Sequence, residues 1–312
     1  MGLCLVTGGA GFIGNHIVRR LLAERHRVRV LDNFSTGHRR NLADVEKDIE
    51  LIEGDICDAE QARRASAGAD TTFHLAARAS VPRSVEFPFE ANEVNVTGTM
   101  QMLLAARNAG VRRFVYSASS AAYGETPTLP KIETMAPSPL SPYAVSKLAA
   151  EYYCGCFAHV YGMETISLRY FNVFGPRQDP NSQYAAAIPA FVTRMVNGQQ
   201  PIIYGDGEQS RDFCYIDNVV NANLLAMKAG KLAGETVNVA CGERVTLNRI
   251  IAQINERLGT KIAPDYQAPR PGDVRHSLAD VSAARRVIGY EPKIMFNEGL
   301  RLSIDWYREN AG

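Results

Sequence analysis

The chain has 312 residues, 46% of them hydrophobic and 21% charged, enough to bury a sizeable core as one large unit or two lobes. A formal net charge of +1 excludes the broad basic field of a nucleic-acid binder, and no apolar run approaches the roughly 20 residues of a membrane span. Six cysteines stand without metal-ligand spacing, so buried free thiols are expected, and the opening MGLCLVTGGAGFIG lacks the basic start and cleavage site of a secretory signal; the expectation is a cytoplasmic protein acting on a small molecule.

The first half alternates short apolar runs with helical patterns: LCLVT, a helix over 12–24, VRVLD, IELIEGD, a helix over 59–67, TTFHLAA, a long helix near 92–109, and RFVYSAS. Strand and helix in strict turn predict a parallel sheet with right-handed crossovers, and continuous apolar runs suit strands covered on both faces. Thr7-Gly8-Gly9-Ala10-Gly11-Phe12-Ile13-Gly14 links the first strand to the first helix, where glycines let a pyrophosphate approach the backbone at a helix amino end. Asp32 closes the second run, placed to accept from both hydroxyls of an adenosine ribose. The pairing predicts NAD, because a carboxylate repels a 2′-phosphate, although Arg39 and Arg40 follow closely enough to offer NADP contacts. Ser117, Ser119 and Ser120 close the fifth run at the same sheet edge, where a hydroxyl can relay a substrate proton.

Residues 125–142, ETPTLPKIETMAPSPLSP, are too rich in proline for a helix or a central strand and predict a loop. Ser141 then caps, and Pro142 opens, a helix running to about 161, followed by the strand METISLRY. Tyr143 and Lys147 stand four apart on that helix, so phenol and ammonium share a face near its amino end. A buried ammonium favours the phenolate, and the helix's positive end and the nicotinium charge act in the same direction, which predicts a Tyr143 able to serve as a general base near neutral pH. Beyond Asn172 the pattern is irregular, with PIIYGDG, ETVNVA and a helix over 247–258, and predicts a smaller lobe at the sheet's carboxyl edge. The six histidines form no cluster, and no metal is expected.

Together these residues resemble the extended short-chain dehydrogenase/reductase family, through the glycine run 7–14, Asp32, Asp55-Ile56, His74-Leu75-Ala76-Ala77, Asn95, the serine strand and Tyr143-x-x-x-Lys147. The resemblance implies a Rossmann-type doubly wound α/β fold, with an NAD-binding domain over 1–171 and a mainly substrate-binding α/β lobe over 172–312. It implies that Asp55 and Ile56 touch adenine. Gly8, Gly11, Phe12, Ile13, Gly14, Asp32, Asn33, Leu75, Ala76, Ala77, Asn95, Ser117, Tyr143, Lys147 and Tyr170 would complete the NAD site, and Ser119, Tyr143 and Lys147 would form the catalytic triad. His74 falls where the family has a structural residue. Asn15 departs from the serine usual after the last glycine; facing only the helix start, it is expected to matter little.

The second half resembles the UDP-sugar 4-epimerases, closest to their UDP-N-acetylglucosamine branch. The segments are Arg169-Tyr170-Phe171-Asn172-Val173-Phe174-Gly175-Pro176-Arg177, Gly205-Asp206-Gly207, Ser210-Arg211-Asp212-Phe213, and Arg270-Pro271-Gly272-Asp273-Val274-Arg275-His276-Ser277. By that resemblance Asn172, Arg211 and Arg270 hold UDP with Asp273 nearby, and Ser80, Ser119, Ser120, Tyr143, Ala187, Ile188, Tyr204 and Ser277 line the substrate site. Two guanidiniums suit a pyrophosphate, which they can bind bidentately while always charged. Ser119-Ser120-Ala121-Ala122-Tyr123 carries no acid where related dehydratases and decarboxylases place one, which disfavours elimination chemistry.

The expected activity is a 4-epimerase interconverting gluco and galacto UDP-hexoses with tightly bound NAD. A UDP-glucuronate 4-epimerase or another NAD-dependent nucleotide-sugar modifier is the alternative, and a catalytically silent dinucleotide binder is the rival from another class. Ser277 stands where epimerases restricted to non-acetylated sugars carry a tyrosine, which extends the expectation to UDP-N-acetylhexosamines. A homodimer is expected through helices 92–109 and 141–161, because Met100, Met102, Leu103, Leu104, Tyr152, Tyr153 and Phe157 exceed what one buried stripe requires.

Overall fold

The computed structural model describes residues 2–180, 187–269 and 274–310. β1 (Leu3–Thr7) is buried at every position, as a strand covered on both faces must be. α1 (Phe12–Ala23) turns Ile17, Val18 and Leu21 onto the sheet, and the alternation continues through β2 (Arg27–Asp32), β3 (Ile49–Glu53), α2 (Ala59–Ser66) and β4 (Thr71–His74). Next come α3 (Val81–Glu86), α4 (Pro88–Asn92), α5 (Thr99–Asn108), β5 (Arg113–Ser119), α6 (Pro142–Tyr161) and β6 (Glu164–Tyr170). The remainder carries β7 (Val173–Phe174), α7 (Ala187–Val196), β8 (Ile202–Tyr204), β9 (Ser210–Arg211), β10 (Cys214–Tyr215), α8 (Ile216–Lys228), β11 (Glu235–Val239), β12 (Val245–Thr246), α9 (Leu247–Leu258), β13 (Asp265–Gln267), α10 (Ser282–Ile288) and α11 (Phe296–Glu309).

Among the described residues the main sheet has seven strands in the order β11-β6-β5-β4-β1-β2-β3, each neighbouring pair parallel. This is the Rossmann-type doubly wound arrangement: the chain winds outward from β1 through β2 to β3, returns to β4 and winds outward the other way. α1 and α8 pack their apolar sides into one core, while α2, α5 and α6 pack into the other. The reversal between β1 and β4 opens a crevice at their carboxyl ends, the place where such sheets bind ligands. After β6 the chain leaves the sheet, and it returns as β11 before the smaller lobe is finished. That lobe contains the short pairs β7/β10, β9/β12 and β8/β13.

Three expectations are corrected. The helix expected over 92–109 is interrupted: α4 ends at Asn92, and Glu93–Gly98 forms a wider π-helical turn before α5. Such turns are frequent at functional sites, and this one carries Asn95 into the interior, where it is 1% exposed. The cysteines are not uniformly buried, since Cys57 is half-buried and Cys156 exposed. Asn15 faces the helix start as expected, buried, with its Nδ2 turned back to donate to Gly11 O and Phe12 O. Met102, Leu103 and Phe157, expected at a subunit contact, lie in the chain's own core, with Tyr153 and Leu104 packed against it. Of the expected set Tyr152 is exposed, and other exposed apolar side chains of this region include Val85, Phe89, Val145, Val160 and Tyr161.

Candidate active site

The turn after β1 can be made only by glycine. Gly8 has a φ of +69°, and a Cβ there would stand 2.7 Å from Ala76 N. A Cβ on Gly14 would meet Gly8 O at 2.1 Å, so the close seat of α1 on this turn also needs glycine. Gly11 precedes α1 with no side-chain cap, which leaves the first-turn N–H groups to an anion. Asp32 is buried at the end of β2, with Oδ2 accepting from Ala10 N and Oδ1 from Phe34 N, both at 2.8 Å. Burial raises its pKa and the two amides oppose the rise.

One cleft gathers Gly8, Asp32, Asn33, Asp55, Ile56, Ala76 and Ala77 from the ends of the first four strands. Ser35, Thr36, Arg78 and Val94 also line it; the sequence reading missed them, and the proximity of Ser35 and Thr36 to Asp32 is the signal that marks two of the four. Asn33 Nδ2 donates to Asp55 Oδ2 at 2.8 Å. Burial raises Asp55, but bonds from Cys57 N and Asn33 and the charge of Arg78 leave it below the usual carboxylate range. Arg39, a candidate for a 2′-phosphate, is paired with Glu53 and lies 4.3 Å from the centroid of the Phe34 ring. The glycine turn, the open helix end and the Asp32 carboxylate fit the pyrophosphate and ribose of a dinucleotide.

His74 sets the wall of this cleft from behind. Thr7 Oγ1 accepts from Leu75 N and Ala76 N, each at 3.2 Å, so its own proton goes to His74 Nδ1 at 2.8 Å. His74 Nε2 must then carry the hydrogen, donated to Thr99 Oγ1 at 3.0 Å, and Thr99 donates to Asn95 O at 2.6 Å. Burial, followed by the charge of Lys147, pushes the His74 pKa down to about 3, so the ring stays neutral. Asn95, expected to touch NAD, has its side chain committed within the protein. Its Oδ1 accepts from Arg78 N at 2.7 Å, and its Nδ2 donates to Arg78 O at 3.1 Å and to Ser146 Oγ at 2.9 Å.

Ser141 caps α6 by accepting from Ala144 N at 3.2 Å, and Pro142 occupies its first turn. Tyr143 is gripped at both backbone groups: its N–H donates to Ser84 Oγ at 3.0 Å, and its carbonyl accepts from Ser146 Oγ at 2.9 Å. Ser84 was missed, and its only sequence signal is a small polar residue on an otherwise apolar side of α3. Of the three serines at the end of β5, Ser119 is the one that acts on the Tyr143 phenol, holding its pKa down against burial, whereas Ser117 does the same to Tyr170 and Ser120 begins a short turn. Lys147, one helical turn after Tyr143, is 4% exposed, and burial lowers its pKa to about 8. Within the chain, burial pushes the Tyr143 phenol up and Ser119 opposes the rise, and the nicotinium charge of the expected cofactor would add to that opposition.

In the smaller lobe, Asn172 Nδ2 donates to Asp212 O and to Ser277 Oγ, both at 3.3 Å. Arg211 is braced through Nη1 by Ser210 O at 3.1 Å and Arg275 O at 2.9 Å. His276 is lowered by burial and then by Arg244, Arg275 and Arg211, which shows three guanidiniums concentrated at this edge. Asp212 was also missed. Fully buried, it accepts from Cys241 N, Gly242 N and Ala279 N at 2.9 to 3.1 Å and so ties together the segments flanking Arg211 and Ser277. Ala187 and Ile188 open α7, and Tyr204 ends β8. Ser80, expected at the substrate, caps α3 by accepting from Arg83 N at 3.2 Å. Arg270 and Asp273 lie outside the described residues.

Residues 4–240 match the NAD dependent epimerase/dehydratase family. The solved UDP-N-acetylglucosamine 4-epimerase of Methanobrevibacter ruminantium, in complex with UDP-N-acetylmuramic acid, is 41% identical with a TM-score of 0.94, over 99% of each chain. The UDP-glucose 4-epimerase of Thermotoga maritima, with UDP-glucose, is 39% identical with a TM-score of 0.95, over 99% of this chain and 100% of that one. The Thermus thermophilus UDP-glucose 4-epimerase, complexed with NAD, is 38% identical with a TM-score of 0.89, over 98% of this chain and 99% of that one.

Proposed function

Because this chain belongs to the NAD-dependent epimerase/dehydratase family and its cofactor is NAD, we propose that it inverts C4 of UDP-linked hexoses, N-acetylated ones included. The observation that carries the reading is the buried Tyr143 phenol under the influence of Ser119, with Lys147 one turn away and no acid in the four residues after Ser119. NAD held by the glycine turn and Asp32 supplies a reversible hydride acceptor for C4 of the sugar. Ser119 passes the 4-hydroxyl proton to Tyr143 and later returns it, so the pair acts as base and then acid. Lys147, charged, favours the phenolate that burial alone opposes. Arg211, Asn172 and Arg270 hold the diphosphate while the 4-keto sugar turns its other face, and hydride return leaves no net redox change.

Acceptance of the acetamido group rests on the small side chain at Ser277. Its hydroxyl also accepts from Asn172, so bulk and hydrogen bonding must be separated. Ser277→Ala removes the bond without adding bulk, and its cost should fall on UDP-glucose and UDP-N-acetylglucosamine alike. Ser277→Tyr adds bulk, and should abolish turnover of the acetylated sugar well beyond any loss on UDP-glucose. Unchanged acetyl-sugar turnover in Ser277→Tyr would sink the gate, and wild-type turnover confined to UDP-glucuronate would move the assignment to that sugar.

The subunits pair through the outer side of α6, where exposed Val145, Tyr152 and Val160 recur at helical spacing beside Val85 and Phe89. Light scattering should give a dimer at micromolar concentration; a monomer contradicts this.

A further inference from the structure

Lys147 carries a buried ammonium with an unusual neighbour. The contact that the described residues give its Nζ is the ring of Tyr116, whose centroid lies 4.7 Å away. Tyr116 sits in β5, three positions before Ser119, and is 1% exposed. Its ring cannot swing aside: the phenol donates to Lys147 O at 3.2 Å, the backbone of the very residue whose ammonium lies over the ring. It also stacks on His74, with centroids 5.9 Å apart and planes at 25°.

The other groups around this ammonium offer it no counter-charge. His74 of β4 is neutral, Tyr143 and Cys154 of α6 carry weakly acidic protons that burial makes harder to lose, and Glu151 of α6 is taken up by Arg169 of β6 in two bonds of 2.8 and 2.6 Å. Glu151 stands four residues after Lys147, the spacing at which it would otherwise form an ion pair with it. With that carboxylate engaged, the negative face of an aromatic ring is what remains to stabilise the ammonium.

We propose that Tyr116 is a positioning residue for this reaction, its ring face holding Lys147 charged and aimed at the site. This rests on the reading that Lys147 serves Tyr143. Burial, without the ring, sets the lysine at about 8, and a desolvated cation–π contact raises it by about one unit, so draining the ring returns Lys147 toward 8 and leaves about half of it neutral there.

The test keeps shape and drains the ring. Tyr116→Phe is the starting point of a series in which the phenylalanine carries one, two and three ring fluorines, each withdrawing charge from the face at nearly constant size. Two readouts are taken on the NAD-containing protein: kcat and KM against pH, and the pH dependence of trace acetylation of Lys147, quantified by mass spectrometry. The half-labelling pH should fall stepwise, by about one unit at three fluorines, and kcat near pH 8 should fall in parallel while KM for the UDP-sugar holds. A half-labelling pH that does not move across the series overturns the inference even if epimerisation is intact. A labelling series that shifts in a protein that epimerises no UDP-sugar leaves the contact standing and removes the epimerase reading instead.

Discussion

Replacing Asn95 by alanine tests whether this asparagine is a brace rather than a cofactor ligand. Its side chain makes three hydrogen bonds inside the protein, two to the backbone of Arg78 and one to Ser146 Oγ. Alanine leaves the Arg78 N–H and carbonyl without these partners, at roughly 1–3 kcal/mol each when dry, and water reaching the half-buried Arg78 trims the total to about 2–4 kcal/mol. At about 2.1 cal/mol/K per residue, a chain of 312 residues has an unfolding entropy of about 0.65 kcal/mol/K, so the expected drop in Tm is roughly 3–6 °C. Calorimetry on the NAD-containing protein measures it. A double-mutant cycle with Ser146→Ala should show a coupling of about 0.5–1.5 kcal/mol, because the two side chains share a bond. NAD retention should weaken as well, since Ala77 and Arg78 line the cofactor cleft. A Tm within a degree of wild type, with strictly additive mutants, refutes the brace.

Ser84→Ala should cost about 1–2 kcal/mol, the scale of a lost helix cap, and lower kcat about tenfold by loosening Tyr143, with α6 still capped by Ser141; an unchanged kcat argues that Ser84 does not position the phenol. His74 has a folded pKa of about 3 against an ordinary 6.5, so its stabilising contribution is complete above pH 6.5 and is lost as pH falls toward 3. At pH 5 that loss is about 2 kcal/mol, and His74→Asn should flatten the acid side of the Tm profile; parallel profiles contradict the assignment. Asp32→Ala should release NAD during gel filtration, by removing the ribose acceptor and freeing the Ala10 and Phe34 amides it holds. Full NAD content in that variant places recognition elsewhere.

The sheet and its cofactor edge were legible because their signals are local. Buried parallel strands read as unbroken apolar runs, and Gly8, Gly14 and Asp32 are required by the turn and strand that contain them. Contacts across the fold were not legible. Ser84 meets Tyr143 from 59 positions away, and a lone small polar residue in VPRSVE does not say which partner it meets. The π-helical turn at Glu93–Gly98 depends on where Asn95 finds Arg78 and Ser146, so helical periodicity alone reads through it. Met102, Leu103 and Phe157 declared themselves apolar, but periodicity cannot say which surface buries them, and the chain's own core does. Ser80 was read as a sugar contact from its place after His74-Leu75-Ala76-Ala77, whereas the start of α3 uses its hydroxyl as a cap. The Tyr143–Lys147 spacing put phenol and ammonium on one helix face, but the burial that pushes the phenol up is a property of the packed site and was not legible.

The central claim is that a hydride leaves C4 of a UDP-sugar and returns to the other face of the same sugar while NAD stays bound. The direct measurement incubates the purified protein, with no cofactor added, with UDP-N-acetylglucosamine or UDP-glucose deuterated at C4, and follows the products by NMR. The account predicts the galacto epimer with deuterium retained at C4. A galacto product that has exchanged its deuterium for solvent hydrogen, or no epimer from a protein carrying a full complement of NAD, would contradict it.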